Sequence, residues 1–287
     1  MPGVTPAYTH GHAESVLRSH RTRTARNSAA YLLANLRPGQ RLLDVGSGPG
    51  TITADLAGLV APGRLVALET SDEILALTRA EVEARGCDNV DYLVGDIHAL
   101  DLPDDSFDVV HAHQVLQHVA DPVQALREMV RVCRRGGVVA ARDSDYGAFT
   151  WFPASAGLDR WRELYRAAAY ANGGEPDAGR HLLAWAHEAG VEQVEAGSST
   201  WCYADPATRD AWGSMWADRI TGSAIATQLV NGGMASTVEL ADIATAWREW
   251  AAHPDGWISV LHGEILIRVE SDSSSSSGSV GTQGRRG

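Results

Sequence analysis

The sequence predicts an α/β protein with a doubly wound, mostly parallel sheet. Three observations predict it. Short apolar runs alternate with segments of helical period from residue 41 to about residue 142. The first run, Leu42-Leu43-Asp44-Val45, passes straight into Gly46-Ser47-Gly48-Pro49-Gly50-Thr51, a glycine-rich turn ahead of a helix. Glycines there allow positive φ and let a ligand lie against bare backbone. Acids, Glu69 and Asp96, stand at the ends of the next two apolar runs. Ligands of such sheets lie at those strand ends.

The elements follow in order. Residues 1 to about 12 are irregular, with Pro2, Gly3 and Pro6. From Ala13 to Leu36 the spacing of Ala25, Ala29, Leu32, Leu33 and Leu36 predicts one amphipathic helix, closed by Pro38-Gly39. Its Arg18, Arg21, Arg23 and Arg26 read first as a solvated face. A sharper reading makes residues 1–36 a helical lid, with Tyr8, His10, Arg18 or His20 reaching a ligand. Strands are expected at Arg41–Val45, Arg64–Glu69, Val90–Val94, Phe107–His113 and Gly137–Arg142, with helices at Thr51–Leu59, Ile74–Arg85 and Pro122–Cys133. Crossovers of that length make the strands parallel. Residues 37–150 are thus the core.

Beyond residue 150 the composition changes, and all nine Trp lie there. Helices are predicted at Arg160–Ala169 and Leu182–Ala189, and a helical stripe runs through Leu240, Ile243, Ala244, Trp247, Trp250 and Ala251. Gln193–Tyr203 has strand character, and Ile258–Val269 reads as a last, antiparallel strand. Residues 151–270 are therefore expected to be a helical substrate cap plus the last strands of the sheet. Residues 271–287, rich in Ser and Gly, are expected to be a disordered tail.

Composition narrows the function. The chain has 24 basic and 36 acidic residues and a net charge of −12, which disfavours a phosphate-backbone partner. Every basic residue is Arg, so lysine chemistry is absent. Cys87, Cys133 and Cys202 have neither metal-ligand nor disulfide spacing, so no metal is expected. No run approaches the ~20 apolar residues of a membrane span, and a cytoplasmic setting is the simplest expectation.

The loop's spacing points to a class of ligand. It reads G-x-G-x-G after an acid, not the G-x-G-x-x-G of a dinucleotide site, and an acid beside the loop suits a cationic ligand. Gly95-Asp96-Ile97 closes the third strand, and His111, His113, Gln114 and His118 lie at and after the fourth. Arg135-Gly136-Gly137-Val138-Val139 turns a helix into the fifth. Taken together over residues 36 to 145, these motifs resemble the class I S-adenosylmethionine (SAM) methyltransferases of the ubiquinone/menaquinone-biosynthesis and small-molecule type.

The resemblance implies a Rossmann-like sheet of seven strands with the last one reversed. It implies SAM as cofactor, leaving as S-adenosylhomocysteine. The backbone of Gly46, Ser47, Gly48 and Gly50 would hold the methionine part, with Asp44 near its amino group. Glu69 would bind the ribose beside Thr70. Asp96 and Ile97 would frame the adenine, and Gln114 would line the transfer site. Ser47 stands where many members carry Cys.

Methyl transfer from a sulfonium needs mainly orientation and exclusion of water. A base is required only for some acceptors. His113, His118, Asp145 and Tyr146 are the candidates near the strand ends, with His181 from the helical half, although a lone His is more often a packing residue and His118 reads as the more structural. The Trp excess reads as ordinary core, or as the wall of an apolar pocket formed by Trp151, Phe152, Trp212 and Trp216. The expected partner is a small apolar or aromatic acceptor, with a homodimer left open. The alternatives are a nucleic-acid methyltransferase, an NAD-dependent oxidoreductase and a non-catalytic SAM-fold subunit. The first lacks an N/D-P-P-F/Y motif after the fourth strand, where His113-Gln114-Val115-Leu116 stands, and the second lacks its glycine spacing.

Overall fold

The computed structural model describes residues 22–270. The elements of the core fall close to their expected bounds: β1 (Leu42–Val45), α3 (Thr51–Val60), β2 (Leu65–Glu69), α4 (Asp72–Ala84), β3 (Val90–Val94), β4 (Phe107–His113), α5 (Pro122–Val132) and β5 (Cys133–Ser144). Serine and aspartate caps fix two of the helix starts. Ser71 accepts from the Ile74 N–H ahead of α4, and Asp121, with Pro122 in the first turn, accepts from Gln124 ahead of α5.

The single helix expected over 13–36 is not present within residues 22–36. Two four-residue helices stand there, α1 (Ala25–Ser28) and α2 (Ala30–Leu33). Thr24 adopts an extended conformation and forms a reciprocal capping box with Asn27, so a new helix starts at residue 25. Ala29, at φ −137°, then separates the two. The apolar face survives the break, since Ala25, Ala29, Leu32 and Leu36 are all buried. The proposed lid residues Tyr8, His10, Arg18 and His20, and the tail 271–287, lie outside the described residues.

The sheet has eight strands rather than seven. The additional one is the short β6 (Thr150–Phe152), which continues the line of β5 and pairs with the start of β8 (Trp257–Arg268). Three residues are too few to show an alternating pattern. From β3 the order runs β2, β1, β4, β5 and then β8, with β7 (Val194–Tyr203) on the far side of β8. Strands β1 to β5 pair in parallel, and β8 runs against β5, β6 and β7.

Helices cover both faces. On one side Leu32, Leu56, Val109, Ala140 and Leu266 join α1 to α4 with the sheet. On the other, Leu126, Met129, Val110, Val139 and Ile265 pack with Leu182 of α7 (Ala178–Glu188). Thus α7 lies on the sheet and is not part of the cap expected over 151–270.

The cap is a third cluster, formed by α6 (Ala156–Ala171), α8 (Pro206–Gly222), α9 (Ala224–Asn231) and α10 (Thr237–Ala252). Its centre is Trp161, Trp216 and Trp247, with Trp161 edge to face against Trp216 at 4.5 Å and Trp247 at 4.9 Å. Burying rings of this size contributes on the order of 4 kcal/mol each. Ile258 and Val260 at the start of β8 belong to the same cluster and tie it to the sheet. No helix among the described residues is long and apolar enough to cross a membrane.

Candidate active site

The carboxyl ends of β1 to β4 carry the glycine loop, Glu69, Asp96 and Gln114 side by side, as the alternating pattern requires. Gly46, Gly48 and Gly50 have φ of 70°, 54° and 89°. Two of them are also pressed from outside. A Cβ on Gly46 would stand 2.4 Å from Val115 Cγ2, and one on Gly50 would stand 2.8 Å from the Thr78 backbone. A Cβ on Gly48 would meet nothing within 4 Å, so bare backbone faces open space there.

The loop is held from three sides. The Gly46 and Ser47 N–H groups donate to the Leu68 carbonyl, at 2.8 and 3.3 Å. The Thr78 hydroxyl donates to the Gly48 carbonyl at 2.6 Å and meets Ser47 Oγ at 3.1 Å. Glu69 accepts from the Gly48 N–H at 2.8 Å and from the Thr70 N–H at 3.1 Å. The Ser47 side chain therefore faces α4. Asp44 lies below the loop and is buried. It accepts from Thr53 Oγ1 and from His111 Nδ1, each at 2.7 Å. Any amino group that Asp44 binds must share it with these two donors.

Asp96 is largely exposed and accepts from the backbone N–H and ring Nδ1 of His98, at 2.9 and 2.6 Å. Those hydrogen bonds hold its carboxyl below the usual carboxylate range. Ile97 is buried beside it.

Gln114 has a left-handed backbone, φ 54°, at the end of β4. Its N–H donates to the Arg142 carbonyl at 2.7 Å, and its amide donates to Ser144 Oγ at 2.6 Å. The same amide meets His262 Nε2 at 2.9 Å. His262 Nδ1 lies 3.0 Å from the Val260 carbonyl and must donate to it, which leaves Nε2 as the acceptor. Burial, with Arg142 and Arg23 nearby, pushes the His262 pKa well below its ordinary value, so the ring is neutral.

A narrow pocket opens beside Gln114. Its lining includes Ser144, Tyr146, Phe149 and Val260, then Trp201, Trp212 and Trp216, with the guanidiniums of Arg23 and Arg219. Trp212 and Trp216 line it, and Trp151 and Phe152 do not. Trp151 packs against Trp161 and lies under Arg162, while Phe152 is 55% exposed and touches His253. Trp201, Phe149, Ser144, Arg23 and Arg219 are additional. Trp201 stands two residues before Tyr203 in a strand, a spacing that puts both on one face.

The base candidates fare differently. Asp145 is buried, but Arg180 clamps both its oxygens, one at 2.7 Å from Nε, and it also caps Ala148. It is a structural anchor for α7. Tyr146 lines the pocket, yet burial pushes its phenol up from its ordinary value. His113 is buried beside Trp201 and His262, at ring distances of 5.8 and 6.2 Å, and among the described residues neither of its ring nitrogens has a hydrogen-bond partner. Burial, then Arg142 and Arg23, drive its pKa well below the ordinary value. It is neutral and a weak base. His118 is half-buried, and loss of hydration pushes its pKa down to about 3.

One feature was not legible in the sequence. Asp44 and His111, then His113, Arg142, Glu264 and Ser199, line up across one face of the sheet. The register pairs Asp44 with His111, His113 with Arg142 and Arg142 with Glu264. Arg142 Nε donates to Glu264 at 3.0 Å and to Ser199 Oγ at 3.1 Å.

Comparison with known proteins agrees with this geometry. The "Methyltransferase domain" family model matches residues 43–141. An uncharacterized methyltransferase of Schizosaccharomyces pombe is 32% identical over 272 residues, covering 92% of this chain and 96% of that one. The ubiquinone/menaquinone biosynthesis C-methyltransferase of Ectopseudomonas mendocina is 36% identical over 107 residues, 37% of this chain and 42% of that one. A solved phosphoethanolamine N-methyltransferase of Haemonchus contortus, in complex with S-adenosylhomocysteine, shares the fold with a TM-score of 0.54 at 17% identity, over 84% of this chain and 52% of that one. With the glycine loop, the strand-end acids and the reversed last strand in place, the chain belongs to the class I SAM-dependent methyltransferases.

Proposed function

We propose that this chain moves the methyl group of SAM to a small aromatic acceptor held in the pocket between the strand ends and the cap. The observation that carries the reading is Gln114, which belongs to both places. It closes β4 at the cofactor strand ends and lines the aromatic pocket.

The residues present fit the cofactor. Gly48 offers bare backbone to open space, and the Glu69 and Asp96 carboxylates stand at the ends of adjacent strands. In this reading the loop from Gly46 to Gly50 holds the methionine part above Asp44. Glu69 and Thr70 take the ribose, and Asp96 and Ile97 take the adenine. SAM supplies a methyl group already activated on a sulfonium. The chain's own work is then to orient and to exclude water. Gln114, fixed by Ser144 and His262, holds the junction, and Tyr146, Trp212 and Trp216 keep it dry.

None of the candidates Asp145, Tyr146 and His113 suits a proton transfer near neutrality, since Asp145 is ion-paired, Tyr146 is raised and His113 is lowered, while Asp143, raised to about 7, is fully buried and accepts from the Gln117 N–H. The acceptor therefore brings a nucleophile that needs no strong base. A narrow pocket in an acidic chain favours a small molecule over nucleic acid.

The test has two steps. Calorimetric titration with S-adenosylhomocysteine, with NAD as the control, is expected to show micromolar binding of the first alone. Labelled SAM is then offered with single-ring aromatic acceptors, with RNA and with DNA. Label transfer to nucleic acid alone would overturn the reading.

A further inference from the structure

We propose that His111 is a positioning residue for the cofactor, acting through Asp44. It aims the Asp44 carboxylate at the amino group of the methionine part, and so sets the affinity for that group alone. This rests on the reading that places the methionine part above Asp44.

Packing does not account for the pair. His111 is fully buried and Asp44 is only 3% exposed. Their surroundings on that face of the sheet are apolar. Leu42 pairs with Val109 one step back along β1 and β4, and Ala140 of β5 stands beside His111 in register. All three belong to the cluster that joins α1 to α4 with the sheet. A buried carboxylate and imidazole are costly in such a place, and two apolar side chains of similar volume would hold the sheet as well or better. What the pair supplies is a carboxylate of fixed direction under the glycine loop.

The direction is set from both sides of the loop. Asp44 precedes it, and Thr53, in the first turn of α3, follows it. Asp44 Oδ2 accepts from Thr53 Oγ1 and Oδ1 accepts from His111 Nδ1, each at 2.7 Å. A carboxylate only accepts, so Nδ1 carries the proton of that bond. Each carboxylate oxygen has a second acceptor direction, which leaves one on either oxygen for a further donor. An ammonium group, with three donors on one positive centre, matches that pair of open positions. The other ring nitrogen of His111, Nε2, is buried and has no hydrogen-bond partner among the described residues. The ring's one directed polar contact is therefore Asp44. In this reading β4 serves the cofactor twice, through His111 behind Asp44 and through Gln114 at the transfer site.

The experiment compares two ligands by calorimetry on the full chain. S-adenosylhomocysteine carries the amino-acid head. Methylthioadenosine keeps the nucleoside and the thioether and lacks that head. His111→Asn sets an amide nitrogen near the place of Nδ1, facing Asp44, whereas His111→Gln sets it near the place of Nε2. We expect His111→Gln and His111→Phe to raise the Kd for S-adenosylhomocysteine about tenfold, the effect of losing a hydrogen bond to a charged group that binds ligand. His111→Asn should stay within about threefold of wild type. The Kd for methylthioadenosine should not move in any of them, which a general loosening of the fold would not allow. Should His111→Phe fail to fold, the two amides alone decide. The inference is overturned when both ligands weaken together, or when His111→Asn binds S-adenosylhomocysteine no better than His111→Gln. Wild-type chain that binds S-adenosylhomocysteine no tighter than methylthioadenosine instead removes the Asp44 reading, and binding of neither ligand removes the function itself.

Discussion

Gln114 and His262 meet at 2.9 Å, although they come from opposite halves of the chain. The contact joins the end of β4 to the middle of β8. It also fixes the imidazole tautomer, because Val260 takes the other ring proton. His262→Phe keeps an aromatic ring and removes the acceptor. We expect it to leave S-adenosylhomocysteine affinity within threefold and to lower kcat with a working acceptor about tenfold, the cost of a buried amide losing its partner. Steady-state kinetics beside calorimetry separates the two effects, and an unchanged kcat would remove Gln114 from the transfer site.

Glu69 already holds the loop through the Gly48 N–H. Glu69→Ala is expected to raise the Kd for S-adenosylhomocysteine tenfold or more, as expected for the loss of hydrogen bonds to a charged group. Glu69→Gln should fall between. Calorimetric affinity equal to wild type would end the ribose assignment.

Acid should destabilise this fold at mild pH. His113, His118 and His262 are all held neutral by burial. Their depressed values make a contribution that is fully present above the unfolded pKa near 6.5. It is lost as pH falls toward the folded values, at about 1.4 kcal/mol per pH unit for each. Asp143 acts in the opposite sense. Burial raises it to about 7, so its contribution is complete below its unfolded value and fades as pH rises through 7. Three histidines outweigh one carboxyl, so Tm should drop between pH 6.5 and 4. The slope should flatten in His118→Gln, and an identical slope there would exclude His118 as a source.

Gly263 on β8 tolerates no side chain. A Cβ there would stand 1.9 Å from the Gly179 carbonyl oxygen at the start of α7. Gly263→Ala should cost about 3 kcal/mol or more in urea unfolding, since backbone must move. Gly58 on α3 is the control, with nothing within 4 Å of its Cβ. Gly58→Ala should stabilise by roughly 0.5–1 kcal/mol.

The core was legible because its signals are local. β3 and β4 start and stop at the residues where their apolar runs do, and the three loop glycines have the positive φ their spacing calls for. What was hidden depends on register. Nothing in the sequence aligns Arg142 with Glu264, yet the reversal of β8 sets them opposite each other. The α8 helix was invisible for another reason. It buries Arg209, Met215, Trp216, Ala217, Arg219 and Ile220 around much of its circumference, so no one-sided stripe marks it. Asp145 looked catalytic from its place after β5, and only the fold brings Arg180 to it.

The position of β8 also bears on how the protein is made. Among the described residues β7 pairs with no strand but β8, and β8 is the last of the described strands to leave the ribosome. β1 to β5 can assemble on a nascent chain, while β7 and the helices after it wait without a sheet to join. During that interval the cap's tryptophans and the flank of β5 are open to other chains. A pause in translation between α8 and β8 would lengthen the exposure, so demand for chaperones during synthesis should be concentrated there.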